Sequence, residues 1–198
     1  MESRELIFKE LNIPTKNKLI LSSNWYVKEY GSDLLIEAFN KIKESTSNNV
    51  SLVMVGGHKS DQFYKEAINS GAIVFGKRVS HDKLIQLYQS ADVLVRAFNE
   101  PNVVRFAGMG NTILESVACG TPVISNNLIH FHGNKDERRK IGILMGSGKK
   151  LAQKILHILN NKNNYQECRY IAEKYFDHEK STNEYFSSIK ELLNKYYK

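Results

Sequence analysis

The chain has 198 residues, of which 41% are hydrophobic and 25% charged, and its formal net charge is +7. This composition is typical of a soluble globular protein, and the length suits a single domain. The charged segment at residues 1–5, and the lack of an apolar run of about 18 residues, argue against a signal peptide and a transmembrane helix. The basic residues come without a nucleic-acid-binding signature, so we expect no nucleic acid partner.

Cysteine and histidine usage predicts neither a disulfide nor a metal site. Cys119 and Cys168 are far apart and lack Cys-x-x-Cys spacing, which favours reduced thiols in a cytosolic protein. Cys119 is interpreted as a small hydrophobic residue rather than a nucleophile. His130 and His132 could form a ligand pair, but no third ligand has a suitable spacing. We therefore expect a cytoplasmic protein without a metal.

Apolar runs and helical patterns alternate along the chain. Residues 1–16 are predicted to form a lead-in helix that ends near Pro14. Six strands are predicted, at residues 18–22, 50–55, 72–75, 93–95, 123–124 and 141–144. Helices are predicted after Gly31, where apolar residues 34, 35, 38, 39 and 42 share a face, at residues 60–69 and 81–90, after Gly110, and from Leu151 onwards.

This alternation predicts an α/β fold: a single Rossmann-like domain with a parallel sheet and helices on both faces. Residues 17–146 would form the core, and residues 147–198 would add C-terminal helices. Ligands of such sheets bind beyond the carboxyl ends of the strands. The predicted strand ends are Ser22–Asn24, Gly56–His58, Gly76–Arg78, Arg96–Phe98 and Ser125–Asn127.

The stretch from Phe106 to Ser125 combines a glycine turn, a short helix and a buried strand. Gly108 and Gly110 allow a ligand to approach the main chain closely, and Asn111 or Thr112 is predicted to cap the helix. Glu115 lies one turn inside, within reach of a group held at the helix N-terminus. Unpaired amides and the helix dipole attract phosphates there. An ordinary corner of an α/β protein is the alternative reading.

Five blocks together carry a family resemblance. They are residues 34–38 (LLIEA), 53–57 (VMVGG), 74–76 (VFG), 84–92 (LIQLYQSAD) and 110–123 (GNTILESVACGTPV). In this order and at these intervals they resemble the C-terminal, nucleotide-sugar-binding domain of glycosyltransferase family 4, the group 1 family with the GT-B architecture. The resemblance covers residues 10–195. Glycogen synthases and nucleotide-sugar 2-epimerases share this architecture and are alternatives.

The resemblance implies a site for a nucleoside diphosphate sugar, which is a substrate and not a cofactor. Glu115 matches the glutamate that binds the ribose hydroxyls of the donor. The turn formed by Gly108, Met109, Gly110 and Asn111 matches the segment whose amides face the sugar and diphosphate, and Thr112 begins the helix beneath it. Gly76, Lys77 and Arg78 match the strand end that flanks the nucleobase.

The chain departs from the family pattern at two places. The first glutamate of the family would fall at Ala107, and Glu100 has the wrong spacing to replace it, so no catalytic residue is assigned. The family also places Gly-Arg after the first strand and Lys five residues later, where this chain has Asn24, Trp25 and Tyr30.

A departing diphosphate develops charge that fixed donors must meet. Lys28 in the loop after the first strand could supply one cation, unless it is a solvated loop lysine, and Arg105 or Arg96 could supply another. Trp25 and Tyr26 are predicted to pack in the protein, although an exposed Trp25 could contact sugar or a partner.

The resemblance further implies a retaining glycosyltransferase that moves a hexose onto a glycan or lipid-linked acceptor. GT-B enzymes bind the acceptor in an N-terminal domain, so this chain is expected to work with such a domain or with a partner chain, whether it is an excised domain or a natural half. The basic surface is compatible with peripheral membrane contact. The alternatives are a catalytically impaired binding module and a nucleotide-sugar epimerase half. Without a domain that covers it, the tail from residue 165 is expected to expose an apolar patch.

Overall fold

A computed structural model describes residues 2–45, 49–98 and 108–196. Ala107, Glu100 and Arg105 therefore lie outside the described residues. The sequence predicts a long loop from Arg96 to Ala107, and most of this loop also lies outside them. The strands are β1 (Lys18–Ser23), β2 (Val50–Val55), β3 (Ile73–Val74), β4 (Val93–Arg96), β5 (Val123–Ser125) and β6 (Gly142–Ile143). The helices are α1 (Glu2–Glu10), α2 (Ser32–Ser45), α3 (Tyr64–Asn69), α4 (His81–Ser90), α5 (Asn111–Ala118), α6 (Lys135–Ile141), α7 (Leu151–Asn160), α8 (Cys168–Phe176) and α9 (His178–Tyr196).

The six strands form one parallel sheet in the order β3-β2-β1-β4-β5-β6. The chain reverses its direction across the sheet between β3 and β4. Because crossovers between parallel strands are right-handed, this reversal puts helices on both faces. Contacts agree: α2 packs with α7, whereas α1, α4, α5 and α8 pack with one another. The predicted Rossmann-like α/β fold is confirmed.

The core lies in the central strands. Leu19–Leu21, Leu52–Val55, Val93–Val95 and Val123–Ile124 are all buried, because helices cover both faces of the sheet. The register of β1 and β2 runs from the Lys18–Val50 pair to the Ser23–Val55 pair. The carboxyl ends of these strands consequently lie at one edge of the sheet.

Several predicted boundaries differ from the structure. Helix α1 ends at Glu10, four residues before Pro14, and α3 begins at Tyr64 rather than near residue 60. The segment before α3 is a turn because the Asp61 carboxylate accepts hydrogen bonds from the amides of Tyr26 and His58, at 3.0 Å each. A carboxylate that binds two amides competes with the helical hydrogen bonds of its own segment.

Helix α6 was not predicted, and it shortens the last strand. Residues 135–140 are charged or polar and have no apolar periodicity. The helix is set at its start by a capping box, in which Asn134 and Glu137 satisfy each other's amides. Since α6 continues to Ile141, β6 contains only Gly142 and Ile143 instead of residues 141–144.

A buried carboxylate joins three distant parts of the fold. Asp92, with 3% of its side chain exposed, accepts hydrogen bonds from Arg4 in α1, Lys162 before α8 and the amide of Leu19 in β1, at 2.9, 2.6 and 2.8 Å. Burial, the largest single influence, raises the pKa of this carboxyl. The hydrogen bond and charge of Lys162, the Leu19 amide and the charge of Arg4 together outweigh burial and hold the pKa of Asp92 below its usual value.

Helix α9 leaves an apolar stripe exposed. None of its described side chains is buried, and five large ones are between 51% and 73% exposed: Tyr185, Phe186, Leu192, Leu193 and Tyr196. The apolar surface expected in the tail is thus present. Within the described residues, no helix has the length and apolar character needed to cross a membrane.

Candidate functional site

The glycine turn before α5 lies at the carboxyl edge of the sheet. Gly108 and Gly110 have φ values of 55° and 73°, a backbone conformation that favours glycine. Gly110 is the N-cap of α5, and no side chain of the described residues caps the helix. The prediction that Asn111 or Thr112 caps it was wrong, because both residues belong to the first helical turn. The first amides of α5 are therefore left without a side-chain acceptor.

Two contacts hold the glycine turn against the rest of the protein. The side-chain amide of Asn127, which follows β5, donates a hydrogen bond to the carbonyl of Gly108. The Met109 side chain is buried in the core with 7% exposure. Asn127 was predicted only as part of a strand end. The sequence shows an asparagine two residues after an apolar strand, and only the structure shows that its amide is fully buried and therefore needs a partner.

Glu115 is half-buried in the second turn of α5 and lies beside Tyr88 of α4. Tyr88 is completely buried, and its hydroxyl has no hydrogen-bond partner of suitable geometry among the described residues. Burial raises the pKa of Tyr88, and the Glu115 carboxylate raises it further, whereas the neighbouring Ser23 and Thr112 act against this. Tyr88 therefore remains a neutral donor beside Glu115. The sequence pattern did not single it out.

Glu115 also borders a cavity of about 440 Å³ between α5 and α8. Arg169, Ala172 and Phe176 of α8 line its other side. Glu115 thus borders this cavity as well as Tyr88. Its assignment to a ribose stays a prediction.

Arg96 ends β4 immediately below the glycine turn. Its Nε donates a hydrogen bond to Oδ1 of Asn24 at 3.3 Å, and its Nη1 donates to the Met109 carbonyl at 3.2 Å. Its guanidinium lies 4.4 Å from the ring centroid of Phe98. A Cβ atom added at Gly110 would overlap Nη1 of Arg96, so glycine permits this close approach. Burial lowers the pKa of Arg96 from its ordinary value.

The loop after β1 places its side chains differently from expectation. Tyr26 is fully buried, as predicted, and the structure shows that its hydroxyl lies within hydrogen-bond distance of the Met54 and Phe75 carbonyls. Trp25 is 56% exposed, so the prediction that it packs in the protein was wrong. The Trp25 ring contacts Tyr30, whose ring in turn lies 5.1 Å from that of Phe98. Lys28 is exposed, and its ammonium has no partner among the described residues.

Gly76, Lys77 and Arg78 follow β3, the edge strand. Two strands, β2 and β1, separate β3 from Arg96 at the end of β4. The side chains of Lys77 and Arg78 are exposed and make no hydrogen bond within residues 2–45, 49–98 and 108–196. Their role at a nucleobase stays a prediction.

Comparisons with known proteins identify the family and the fold of this chain. The family model described as glycosyl transferases group 1 matches residues 3–175. The chain belongs to this family. No curated protein matches the chain significantly.

Solved structures of other glycosyltransferases share the fold of this group 1 domain. WaaG, a glycosyltransferase involved in lipopolysaccharide biosynthesis, is 22% identical with a TM-score of 0.66, over 89% of this chain and 47% of WaaG. Anabaena HepE in complex with UDP-glucose is 16% identical with a TM-score of 0.72, over 96% of this chain and 53% of HepE. The C-terminal domain of LpcC from Francisella tularensis is 18% identical with a TM-score of 0.67, over 88% and 91% of the two chains.

The group 1 domain described here therefore spans about half the length of WaaG and HepE, but nearly all of the isolated LpcC domain. The family match confirms the resemblance to group 1 glycosyltransferases, and the chain has the fold and about the length of the C-terminal domain of LpcC.

Neither the two cysteines nor the potential metal ligands of the described residues form a reactive site. Burial raises the pKa of Cys119, and it raises that of Cys168 to about 12, so neither is a thiolate at neutral pH. Among the described residues, no three His, Cys, Asp or Glu side chains are grouped to hold a metal ion. The acceptors and donors of interest are therefore those around the glycine turn.

Proposed function

We propose that this chain is the donor-binding domain of a retaining glycosyltransferase, which transfers a hexose from a nucleoside diphosphate sugar to a glycan or lipid-linked acceptor. The observation that carries this proposal is the uncapped N-terminus of α5 at the carboxyl edge of the sheet, with Glu115 one turn behind it. Family membership and the UDP-glucose bound by HepE support the substrate class.

The diphosphate would bind at the turn from Gly108 to Asn111, beside Thr112. Free main-chain amides and the positive end of the helix dipole favour phosphate oxygens there. Glu115 would accept hydrogen bonds from two ribose hydroxyls, since an ionised carboxylate offers acceptors only. Asn24 and Lys28 would border the phosphates, and Gly76, Lys77 and Arg78 the nucleobase.

The chemistry requires charge stabilisation more than a protein nucleophile. As the sugar leaves, negative charge grows on the diphosphate, and preorganised donors stabilise it. In a retaining transfer of this kind, the leaving phosphate itself would assist the incoming hydroxyl. No catalytic residue is therefore assigned on this chain, and no metal or cofactor is required.

The acceptor would be presented by an N-terminal half, on the same polypeptide or on a partner chain. This chain spans about half of WaaG and HepE, and α9 offers an exposed apolar stripe that such a half would cover. We place the enzyme in the cytoplasm, with peripheral contact to the membrane if the acceptor is lipid-linked.

A second candidate function is a nucleotide-sugar or partner-binding module with impaired catalysis. The observation that favours it is the loop after β1, where neutral Trp25 and Tyr30 occupy the positions of the family's arginine and lysine. Adding a cognate N-terminal half distinguishes the two functions. Transfer by the pair that is lost with Glu115→Ala supports the enzyme, whereas retained nucleotide binding without transfer supports the module.

Donor binding itself is tested by thermal unfolding with GDP, UDP, ADP and their sugar conjugates. A ligand at one hundred times its dissociation constant adds about 2.7 kcal/mol to the free energy of unfolding. For a domain of this size, that raises the midpoint by roughly 5 to 10 °C. We expect one base to give this shift and Glu115→Ala to abolish it.

Glu37→Ala is the matched control, because Glu37 is a 61% exposed glutamate on α2 whose one ion pair among the described residues is with Lys41. It should keep the full shift. The proposal is contradicted if millimolar concentrations of every nucleotide leave the wild-type midpoint unchanged, or if Glu115→Ala responds like Glu37→Ala.

A further inference from the structure

Two positive features converge at the glycine turn. The guanidinium of Arg96 lies against Gly110, the N-cap of α5, where the helix dipole places partial positive charge. Both hydrogen-bond partners of Arg96 are neutral: the Asn24 side chain and the Met109 carbonyl. Within the described residues, Arg96 has no carboxylate partner.

Within the described residues, this arrangement favours the binding of an anion. A half-buried arginine loses hydration and is ordinarily compensated by a carboxylate. The described surroundings of Arg96 instead hold a second source of positive potential, the N-terminus of α5. A negatively charged group bound between Arg96 and the first amides of α5 would interact favourably with both.

We propose that Arg96 is the residue that neutralises the diphosphate of the donor, and this inference rests on the proposed donor site. The cation would then be at the end of β4, whereas the family pattern places its cations in the loop after β1. Lys28, the cation of that loop, is exposed and contacts nothing among the described residues that would hold it in place. Arg96 is anchored at three points, so its donors are preorganised.

The guanidinium keeps donors free for a ligand. Arginine has five N–H donors, and the described contacts use the Nε proton and one Nη1 proton. Nη2 makes no hydrogen bond in the described part of the chain. The remaining protons suit two phosphate oxygens in the fork geometry that arginine favours.

Neighbouring side chains position Arg96. Asn24 orients Nε through its side-chain oxygen, and the Phe98 ring lies under the guanidinium plane. Tyr30 packs on Phe98, and Trp25 packs on Tyr30. The residues of the loop after β1 thus act on the phosphate site through Arg96, as positioning residues rather than as cations.

The test measures dissociation constants by calorimetry for the nucleoside and the diphosphate of the base that the wild type prefers. Arg96→Gln should weaken diphosphate binding about 10- to 100-fold, the effect of losing hydrogen bonds to a charged group. Nucleoside binding should change less than twofold. For Arg96→Lys, the dissociation constant for the diphosphate should lie between those of the wild type and Arg96→Gln, because lysine keeps the charge but lacks the forked guanidinium.

Arg139→Gln is the charge-matched control. Arg139 is a 65% exposed arginine of α6, and it should leave both dissociation constants unchanged. Asn24→Asp provides a second test, since it places a carboxylate of the same size beside Arg96. It should weaken diphosphate binding more than Asn24→Ala does, because the new ion pair occupies the guanidinium.

The outcomes separate this inference from the donor site on which it rests. If the wild type binds the diphosphate and Arg96→Gln retains its preference over the nucleoside, the role of Arg96 is refuted and the donor site stands. Equal losses of nucleoside and diphosphate binding in Arg96→Gln would show a structural role only, and would also refute it. If the wild type binds no nucleotide, both proposals fail.

Discussion

Replacing Gly31 by alanine is expected to lower the free energy of unfolding by about 3 to 5 kcal/mol. Gly31 has a φ of 68°, a left-handed conformation that costs other residues energy. A Cβ at this position would also overlap the carbonyl of Ala97. Because Ala97 is buried directly after β4, its main chain has little room to move.

Urea unfolding of the wild type and Gly31→Ala measures this difference. Gly71→Ala is the matched control, since Gly71 has a φ of 82° but only the Lys43 ammonium, at 3.6 Å, near its would-be Cβ. This control carries the backbone strain alone, about 1 to 2 kcal/mol. Equal losses in the two variants would mean that the overlap at Ala97 contributes nothing.

Gly31→Ala should also alter the candidate site around Arg96. Gly31 follows Tyr30, and Ala97 lies between Arg96 and Phe98. Separating Gly31 from Ala97 would therefore pull Tyr30 away from the Phe98 ring that supports the guanidinium.

Asp92→Asn should destabilise the domain by about 3 kcal/mol at neutral pH. The substitution keeps the size of the side chain but removes the charge that Arg4 and Lys162 bind. Arg4 is 30% and Lys162 is 47% exposed, so both regain part of their hydration, which keeps the loss at the lower end for a buried pair.

The pH dependence of this difference follows from the lowered pKa of Asp92. In the unfolded chain the pKa of an aspartate is about 3.9. The stabilisation is therefore complete above that pH, and it is lost as the pH falls through the lower pKa of the folded state. Urea unfolding at pH 7 and at pH 3 should show the gap between wild type and Asp92→Asn narrowing in acid.

Asp136→Asn is the control for Asp92, because the Asp136 carboxylate is 84% exposed and pairs with Arg139 on the helix surface. Exposed pairs of this kind contribute roughly 0.5 kcal/mol or less. A gap for Asp92→Asn that is no larger than that of Asp136→Asn, or that stays constant with pH, would contradict the assigned network.

Much of the fold followed from local patterns. The apolar run of Val50–Val55 predicted β2 to the residue, and the pattern at His81–Ser90 predicted α4 equally well. Burial on both faces makes the strand continuously apolar, and Gly56 follows it. Helix α4 begins after Ser80, whose hydroxyl caps it. Helix α6 escaped prediction because a capping box at Asn134 sets its start, without the apolar periodicity that marks a buried face.

The sequence by itself determined that a glycine turn precedes a helix carrying Glu115 at the carboxyl edge of a parallel sheet. These features depend on neighbouring residues, so spacing reveals them. Only the tertiary structure decided that Arg96 meets Asn24, 72 residues away in the chain, and that Tyr88 of α4 lies beside Glu115. Strand order brings β1 next to β4, and such contacts between distant segments leave no periodic signal in the sequence.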